Sequence, residues 1–279
     1  MKVVCLLENT KRDEDHLLEN RHGISVYIEA SGRKVLFDTG PDNSFAVNAR
    51  QLGIDLSAVD MLILSHGHHD HTGGLKDFLK VNERADIYVH PRAFIPHYSK
   101  THTDFPRFIG TEKPDGLGSR LIMITRGTSL GDGMEILTDA DRDGYVPTGN
   151  RRLYTESETG DLVPDDFSHE IYLLIREAGK SVLITGCSHA GAGNIVRTAF
   201  GRTGIDHLDA VIGGFHLKDP QVDRDERIAG LDRLSRELEE PPVGRYYTGH
   251  CTGEDAYGEL RRRLPGRLEY FRTGSVLTF

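Results

Sequence analysis

One run of six residues constrains this chain more than any other: His66-Gly67-His68-His69-Asp70-His71. It follows directly on Met61-Leu62-Ile63-Leu64-Ser65, the pattern of a buried strand. Alternate residues of an extended turn point the same way, so His66 and His68 can grip one metal ion. Asp70 and His71, past the bend, can grip a second. Gly67, Gly73 and Gly74 permit the tight backbone that such a loop needs. Imidazole and carboxylate donors suit zinc and related divalent ions, with manganese and iron also compatible. The competing reading is a His-rich surface loop. Placement of the HxHxDH spacing behind a buried strand argues against it.

The rest of the chain surrounds that run with alternating strands and helices. Strand-like apolar stretches fall at residues 3–7, 24–29, 34–38, 61–65, 87–90, 121–125, 171–176, 181–185, 210–213 and 245–248. Helical patterns fall at 43–52, 74–80, 194–200 and 225–239, the last placing Ile228, Leu231, Leu234 and Leu238 on one face. Such interleaving predicts sheets covered by helices. The segment 92–168 carries five of the prolines (Pro96, Pro106, Pro114, Pro147, Pro164) and little periodicity. It is expected to be an irregular cap or insertion on a single domain spanning 1–279.

Bulk properties narrow the function. A net charge of −9 argues against a general nucleic-acid binder. No stretch approaches the roughly 18 apolar residues of a spanning helix, so no membrane association is expected. The start, Met1-Lys-Val-Val-Cys-Leu-Leu-Glu, reads as a first strand and not as a leader. Three scattered cysteines (Cys5, Cys187, Cys251) fit a reducing compartment, and a cytoplasmic location is expected.

Several motifs together resemble the metallo-β-lactamase superfamily. These are Val35-Leu36-Phe37-Asp38-Thr39-Gly40, the HGHHDH run, and Tyr246-Tyr247-Thr248-Gly249-His250. The segments Thr185-Gly186-Cys187-Ser188-His189-Ala190-Gly191, Ile212-Gly213-Gly214-Phe215-His216-Leu217 and Gly249-His250-Cys251-Thr252-Gly253 resemble one subfamily, the 7,8-dihydropterin-6-methyl-4-(β-D-ribofuranosyl)aminobenzene-5′-phosphate synthase-like proteins. The resemblance implies an α+β fold, the αββα sandwich, with metal loops at one edge and Asp38 bracing them. It implies His66, His68 and His189 on one metal, and Asp70, His71 and His250 on the other. Most members place a bridging aspartate where this chain has Cys187. Cys187 either bridges as a thiolate or merely lines the site. Superfamily members with a redox di-iron centre usually carry glutamate at the position of His68, so zinc or another non-redox metal is expected.

A dinuclear centre of this kind lowers the pKa of bound water to about 7. Loss of the bridging aspartate leaves the centre more cationic and favours an anionic small-molecule substrate. Asp70 is expected to act as ligand and proton acceptor. His216 is expected either to serve the substrate as a hydrogen-bond or proton donor, or to orient a ligand. His69 is expected to point away, and His169 is a further candidate ligand. Arg92, His97, Lys100 and Arg107 in the cap could hold an anionic tail. The expected activity is metal-dependent hydrolysis of a phosphodiester or phosphoester. The alternatives are a transferase joining a dihydropterin pyrophosphate to an arylamine ribose phosphate, and a lactone or thioester hydrolase. A homo-oligomer is compatible with all three.

Overall fold

The computed structural model describes residues 1–279 except Asp13, Asp15 and Asp104. Strands β1 (Lys2–Leu7), β2 (Ser25–Ala30) and β3 (Arg33–Phe37) form an antiparallel meander. Helix α1 (Ser44–Gln51) then leads to β4 (Met61–Ile63), which runs parallel to β3. The one-turn α2 (His69–Thr72) and α3 (Leu75–Val81) follow, then β5 (Asp86–Val89), β6 (His97–Ser99), β7 (Arg107–Phe108) and β8 (Leu121–Met123). Next come β9 (Thr128–Gly131), β10 (Met134–Thr138), β11 (Leu153–Glu156) and β12 (Leu162–Pro164). The second half holds β13 (Ile171–Glu177), β14 (Lys180–Ile184), α4 (Ala192–Thr203), β15 (Leu208–Ile212), α5 (Arg224–Glu239) and β16 (Val243–Thr248). Helix α6 (Glu254–Arg263), β17 (Leu268–Tyr270) and β18 (Val276–Thr278) close the chain.

Two seven-stranded sheets result, in the orders β18-β1-β2-β3-β4-β5-β8 and β17-β16-β15-β14-β13-β10-β9. Successive side chains of a strand face opposite sides, and this chain uses both. Val3 and Cys5 of β1, Val26 and Ile28 of β2, Ile171, Leu173 and Ile175 of β13, and Val182 and Ile184 of β14 share one buried layer between the sheets. Their neighbours Val4, Leu6 and Tyr27 pack outward with Phe45, Ala49, Leu75 and Phe78 of α1 and α3. On the other side, Tyr172, Leu174 and Leu183 pack outward against α4, α5 and α6. Burial on both faces explains why the central strands read as continuous apolar runs. The architecture is the expected αββα sandwich.

Leu231, Leu234 and Leu238 of α5 enter the outer core, while Ile228 is only half-buried. The helix starts where the Asp223 carboxylate accepts the N–H groups of Asp225 and Glu226, satisfying two donors of its first turn. The segment 92–168 is more regular than its sequence suggests. Its β8 extends the first sheet and β9–β10 the second, while β12-β11-β6-β7 form a separate four-stranded sheet. The strands are two to five residues long, too short to leave a periodic signal.

Candidate metal centre

Parallel pairing decides where the site lies. β3 and β4 run parallel, as do β14, β15 and β16, so their C-terminal ends share one edge of the sandwich. Asp38 follows β3, the HGHHDH run follows β4, and His189, His216 and His250 follow β14, β15 and β16. His216 and His250 hold left-handed backbone, at φ +49° and +51°, which turns the chain sharply at the strand ends.

Asp38 organises the loop. Its Oδ1 accepts the Ser65 N–H at 2.7 Å, and its Oδ2 accepts the Ser65 hydroxyl at 2.7 Å and His71 Nδ1 at 2.6 Å. A carboxylate only accepts, so His71 carries its proton on Nδ1 and turns a bare Nε2 inward. Ser65, having given its proton to Asp38, accepts His66 Nδ1 at 2.9 Å, which leaves His66 Nε2 bare as well. Asn150 Nδ2 donates to the His189 carbonyl, fixing the amide so that its Oδ1 accepts His189 Nδ1 at 2.9 Å. Asn9 does the same for His250: its Oδ1 takes the Gly23 N–H and accepts His250 Nδ1 at 2.8 Å.

The bare atoms converge in two sets. Ligand atoms of His66, His68 and His189 lie within 4.8 Å of one another. His66 Nε2 is 3.1 Å from His68 Nδ1, and His189 Nε2 is buried with no hydrogen-bond partner. In the second set, His250 Nε2 is 3.2 Å from both His71 Nε2 and Asp70 Oδ2, which are 4.0 Å from each other. A tetrahedral ion with bonds of about 2.0–2.2 Å needs donors roughly 3.3–3.6 Å apart. The separations of 3.1–3.2 Å fall just short of that spacing and the 4.0 Å pair just beyond it. Cys187 Sγ stands between them, 3.1 Å from His71 Nε2 and within 4.8 Å of the His66 donor.

The electrostatics match a cation site. Burial, and then the neighbouring rings of His71, His97 and His216 respectively, hold His66, His68 and His189 well below the ordinary imidazole value, so they are neutral ligands in waiting. Burial would raise Asp70, but His71, His250 and His22 facing it hold its carboxyl well below the carboxylate range. Burial would lower His250, but Cys251, Asp70 and Glu8 outweigh it and push the ring up to about 9. Positive charge is favoured at that position, and a metal ion satisfies the same demand as a proton. Burial, with Cys251 beside it, raises the Cys187 thiol.

Two buried glutamates hold the late loops. Glu170 accepts the N–H groups of His189 at 2.6 Å and Ala190 at 2.9 Å, with the Tyr172 hydroxyl at 2.9 Å. Glu8 accepts the His250 N–H together with the N–H and hydroxyl of Thr10, each at 2.7 Å.

The structure thus brings His66, His68, Asp70, His71, His189 and His250 together. His69 is exposed and joins no donor group. His216 lies over His189, ring centroids 4.2 Å apart, with its Nδ1 buried and unpartnered. His169 Nδ1 accepts the Gly67 N–H at 3.0 Å and its Nε2 faces Asp165 at 3.3 Å, within a further buried group of His68, His97, Asp165 and His169 whose donor atoms lie within 4.8 Å of one another. His97 of the cap is also interior, 2.8 Å from Asp165. Arg92 faces Asp166, Lys100 lies over the Tyr154 ring, and Arg107 is exposed. Sequence reading missed His22, whose Nε2 is 3.4 Å from Asp70, and also Asn9, Asn150 and Glu8. No local pattern marks them; Asn9 meets His250 across 241 positions.

Fold and site define a sandwich whose edge could hold metal, and the family follows: residues 20–250 match the metallo-beta-lactamase superfamily, to which this chain belongs. It is 31% identical over 275 residues to the 7,8-dihydropterin-6-methyl-4-(beta-D-ribofuranosyl)-aminobenzene-5′-phosphate synthase of Methanocaldococcus jannaschii, covering 93% of this chain and 90% of that protein. It is also 31% identical to Tm1679, a metal-dependent hydrolase of the beta-lactamase superfamily, at a TM-score of 0.82 over 100% of this chain and 99% of that one. Zn(2+)-bound PqqB of Methylobacterium extorquens shares the fold at a TM-score of 0.56 and 14% identity, over the full length of both chains.

Proposed function

We propose that this protein is a dinuclear metal-dependent hydrolase acting on a phosphate-containing small molecule, a phosphodiester or phosphoester. The observation that carries the reading is the pair of donor sets, each oriented by hydrogen bonds on the far side of its rings. Zinc fits the nitrogen-rich donors best, with manganese or iron as alternatives. Among the six ligands Asp70 is the single carboxylate, so two divalent ions leave a strongly cationic centre suited to phosphate. Such ions supply a nucleophile at neutral pH and polarise the phosphoryl group.

The chain's own residues do the rest. Asp70 orients the second set and can accept a proton from the nucleophile. His216, with an uncommitted Nδ1 beside His189, is placed to donate to a substrate oxygen or leaving group. Glu8 and Glu170 hold the late loops so that His250 and His189 keep their aim. Similarity to Tm1679 supports the hydrolase reading. The buried free cysteines support a reducing, cytoplasmic setting.

A second reading is favoured by the similarity, along nearly the whole chain, to the M. jannaschii synthase. In that case metal held by the two donor sets would stabilise a departing pyrophosphate as an arylamine displaces it, and the product would carry a new C–N bond. Metal quantification followed by a parallel assay separates the two. Turnover of bis(p-nitrophenyl) phosphate without C–N bond formation supports the hydrolase. C–N bond formation from a dihydropterin pyrophosphate and an arylamine ribose phosphate, without diester turnover, supports the transferase. Protein that holds no metal overturns both.

A further inference from the structure

A cavity of about 660 Å³ opens directly beside the second donor set, with His250 and its partner Asn9 in its wall. Its size suits a small metabolite. Lys218, Arg224 and Arg227 line it, and among the described residues none of these side chains has an ion-pair or hydrogen-bond partner. Arg233, Arg245, Arg262 and Arg263, by contrast, are paired with carboxylates. The same wall carries Asp219, Glu254 and Asp255, none of them within ion-pair reach of the three cations. Tyr270 is the cavity's one phenol ring, and its hydroxyl is turned to Glu8.

We propose that this cavity is the subsite for a non-reacting sugar phosphate portion of the substrate. Three unpaired cations present N–H donors to a phosphate. Carboxylates only accept, and sugar hydroxyls are the donors that match them. Tyr270 and His250 are the aromatic rings of the lining, held by hydrogen bonds to Glu8 and Asn9. A phosphate anchored on Arg224 and Arg227 holds its sugar along the acidic wall and presents the opposite end to the His71–Asp70–His250 set. Binding energy gained far from the reacting bond then serves orientation. This inference rests on the reading of the centre as acting on phosphate-bearing small molecules.

The test is calorimetric titration of metal-loaded protein with ribose 5-phosphate, with ribose, and with inorganic phosphate. The wild-type chain is expected to bind ribose 5-phosphate at least about tenfold more tightly than ribose. Arg224→Gln/Arg227→Gln is expected to lose at least about tenfold for ribose 5-phosphate, with ribose binding, metal content and Tm unchanged, and Arg224→Lys/Arg227→Lys is expected to restore most of it. Undiminished binding of ribose 5-phosphate by the Gln variant overturns the subsite while leaving the phosphate reading intact, since the anion then sits at the donor sets. Equal binding of ribose and ribose 5-phosphate by the wild type overturns both. Inorganic phosphate matching ribose 5-phosphate in affinity overturns the sugar part of the assignment.

Discussion

Nε2 of His71 and Nε2 of His250 stand 3.2 Å apart, while both Nδ1 protons are committed outward, to Asp38 and Asn9. Two lone pairs at that distance repel unless a positive charge lies between them. In the metal-free protein Cys251, Asp70 and Glu8 push His250 up to about 9, so a proton on its ring supplies that charge.

Metal binding must therefore displace a proton from His250. At pH 7, below the raised value, about one proton per protein is expected to leave this site on loading, and affinity should weaken as pH falls. Zinc titrations in buffers of different ionisation enthalpy count the released protons. A count of zero would show that His250 is not held charged. The stability sign follows as well: the raised His250 contributes fully to the metal-free fold below about 6.5, and this contribution is lost as pH rises through about 9.

Asp38 touches no substrate in this scheme, yet it fixes the tautomers of His71 and, through Ser65, of His66. Asp38→Asn is expected to weaken metal affinity about 10- to 100-fold, since an amide cannot accept all three donors. Competition with a chromophoric chelator reads this directly. Wild-type affinity in the variant would remove the bracing role.

Glu170 accepts two backbone N–H groups and a hydroxyl in a site from which water is excluded. In Glu170→Gln one of those N–H groups meets the amide NH₂. Leaving a buried donor unpaired costs about 1–3 kcal/mol, readable as a lower urea midpoint. The metal set containing His189 should loosen in parallel, and a variant with unchanged stability and metal content contradicts the argument.

Gly67 has no room for a side chain. A Cβ there would lie 2.3 Å from the Ala93 carbonyl oxygen and 2.6 Å from His97 Nε2. Gly67→Ala is expected to destabilise by about 1–3 kcal/mol and to disturb the His66–His68 pair. Gly201→Ala, in the exposed face of α4 with nothing within 4 Å, is the contrast and should stabilise by about 0.5–1 kcal/mol. Thermal unfolding of the two variants should move in opposite directions; a shared direction rejects the packing account.

Asp165 shows the acid side. Burial alone would raise it, but hydrogen bonds from His169 and His97 outweigh burial and leave its carboxyl far below the ordinary range. A depressed carboxylate stabilises the fold above its unfolded value of about 3.9 and loses that contribution as pH falls below it. Asp165→Asn should therefore cost about 3 kcal/mol near neutrality, with the deficit shrinking towards pH 3. A deficit independent of pH would mean that packing, not charge, is what Asp165 supplies.

Much of this was legible because it is local. Ten strand-like stretches follow two-residue periodicity or unbroken apolarity, and each falls on a strand of the two main sheets. The cap sheet left no such trace, because strands of two to four residues are too short to show a period and pair across fifty positions. His97 is drawn inside by Asp165, while Lys218, Arg224 and Arg227 line the cavity beside His250.

By itself the sequence determined the donor types and their order, a strand, the HGHHDH turn and histidines that end later strands, together with sheets covered by helices, while the αββα sandwich was what the family resemblance implied. Only the tertiary structure decided which nitrogen each ring presents. That choice depends on hydrogen bonds from residues remote in the chain, Asn9 to His250 and Asn150 to His189, which exist only once parallel strands bring their ends to one edge. A tautomer is a contact property, and no spacing along the chain encodes it.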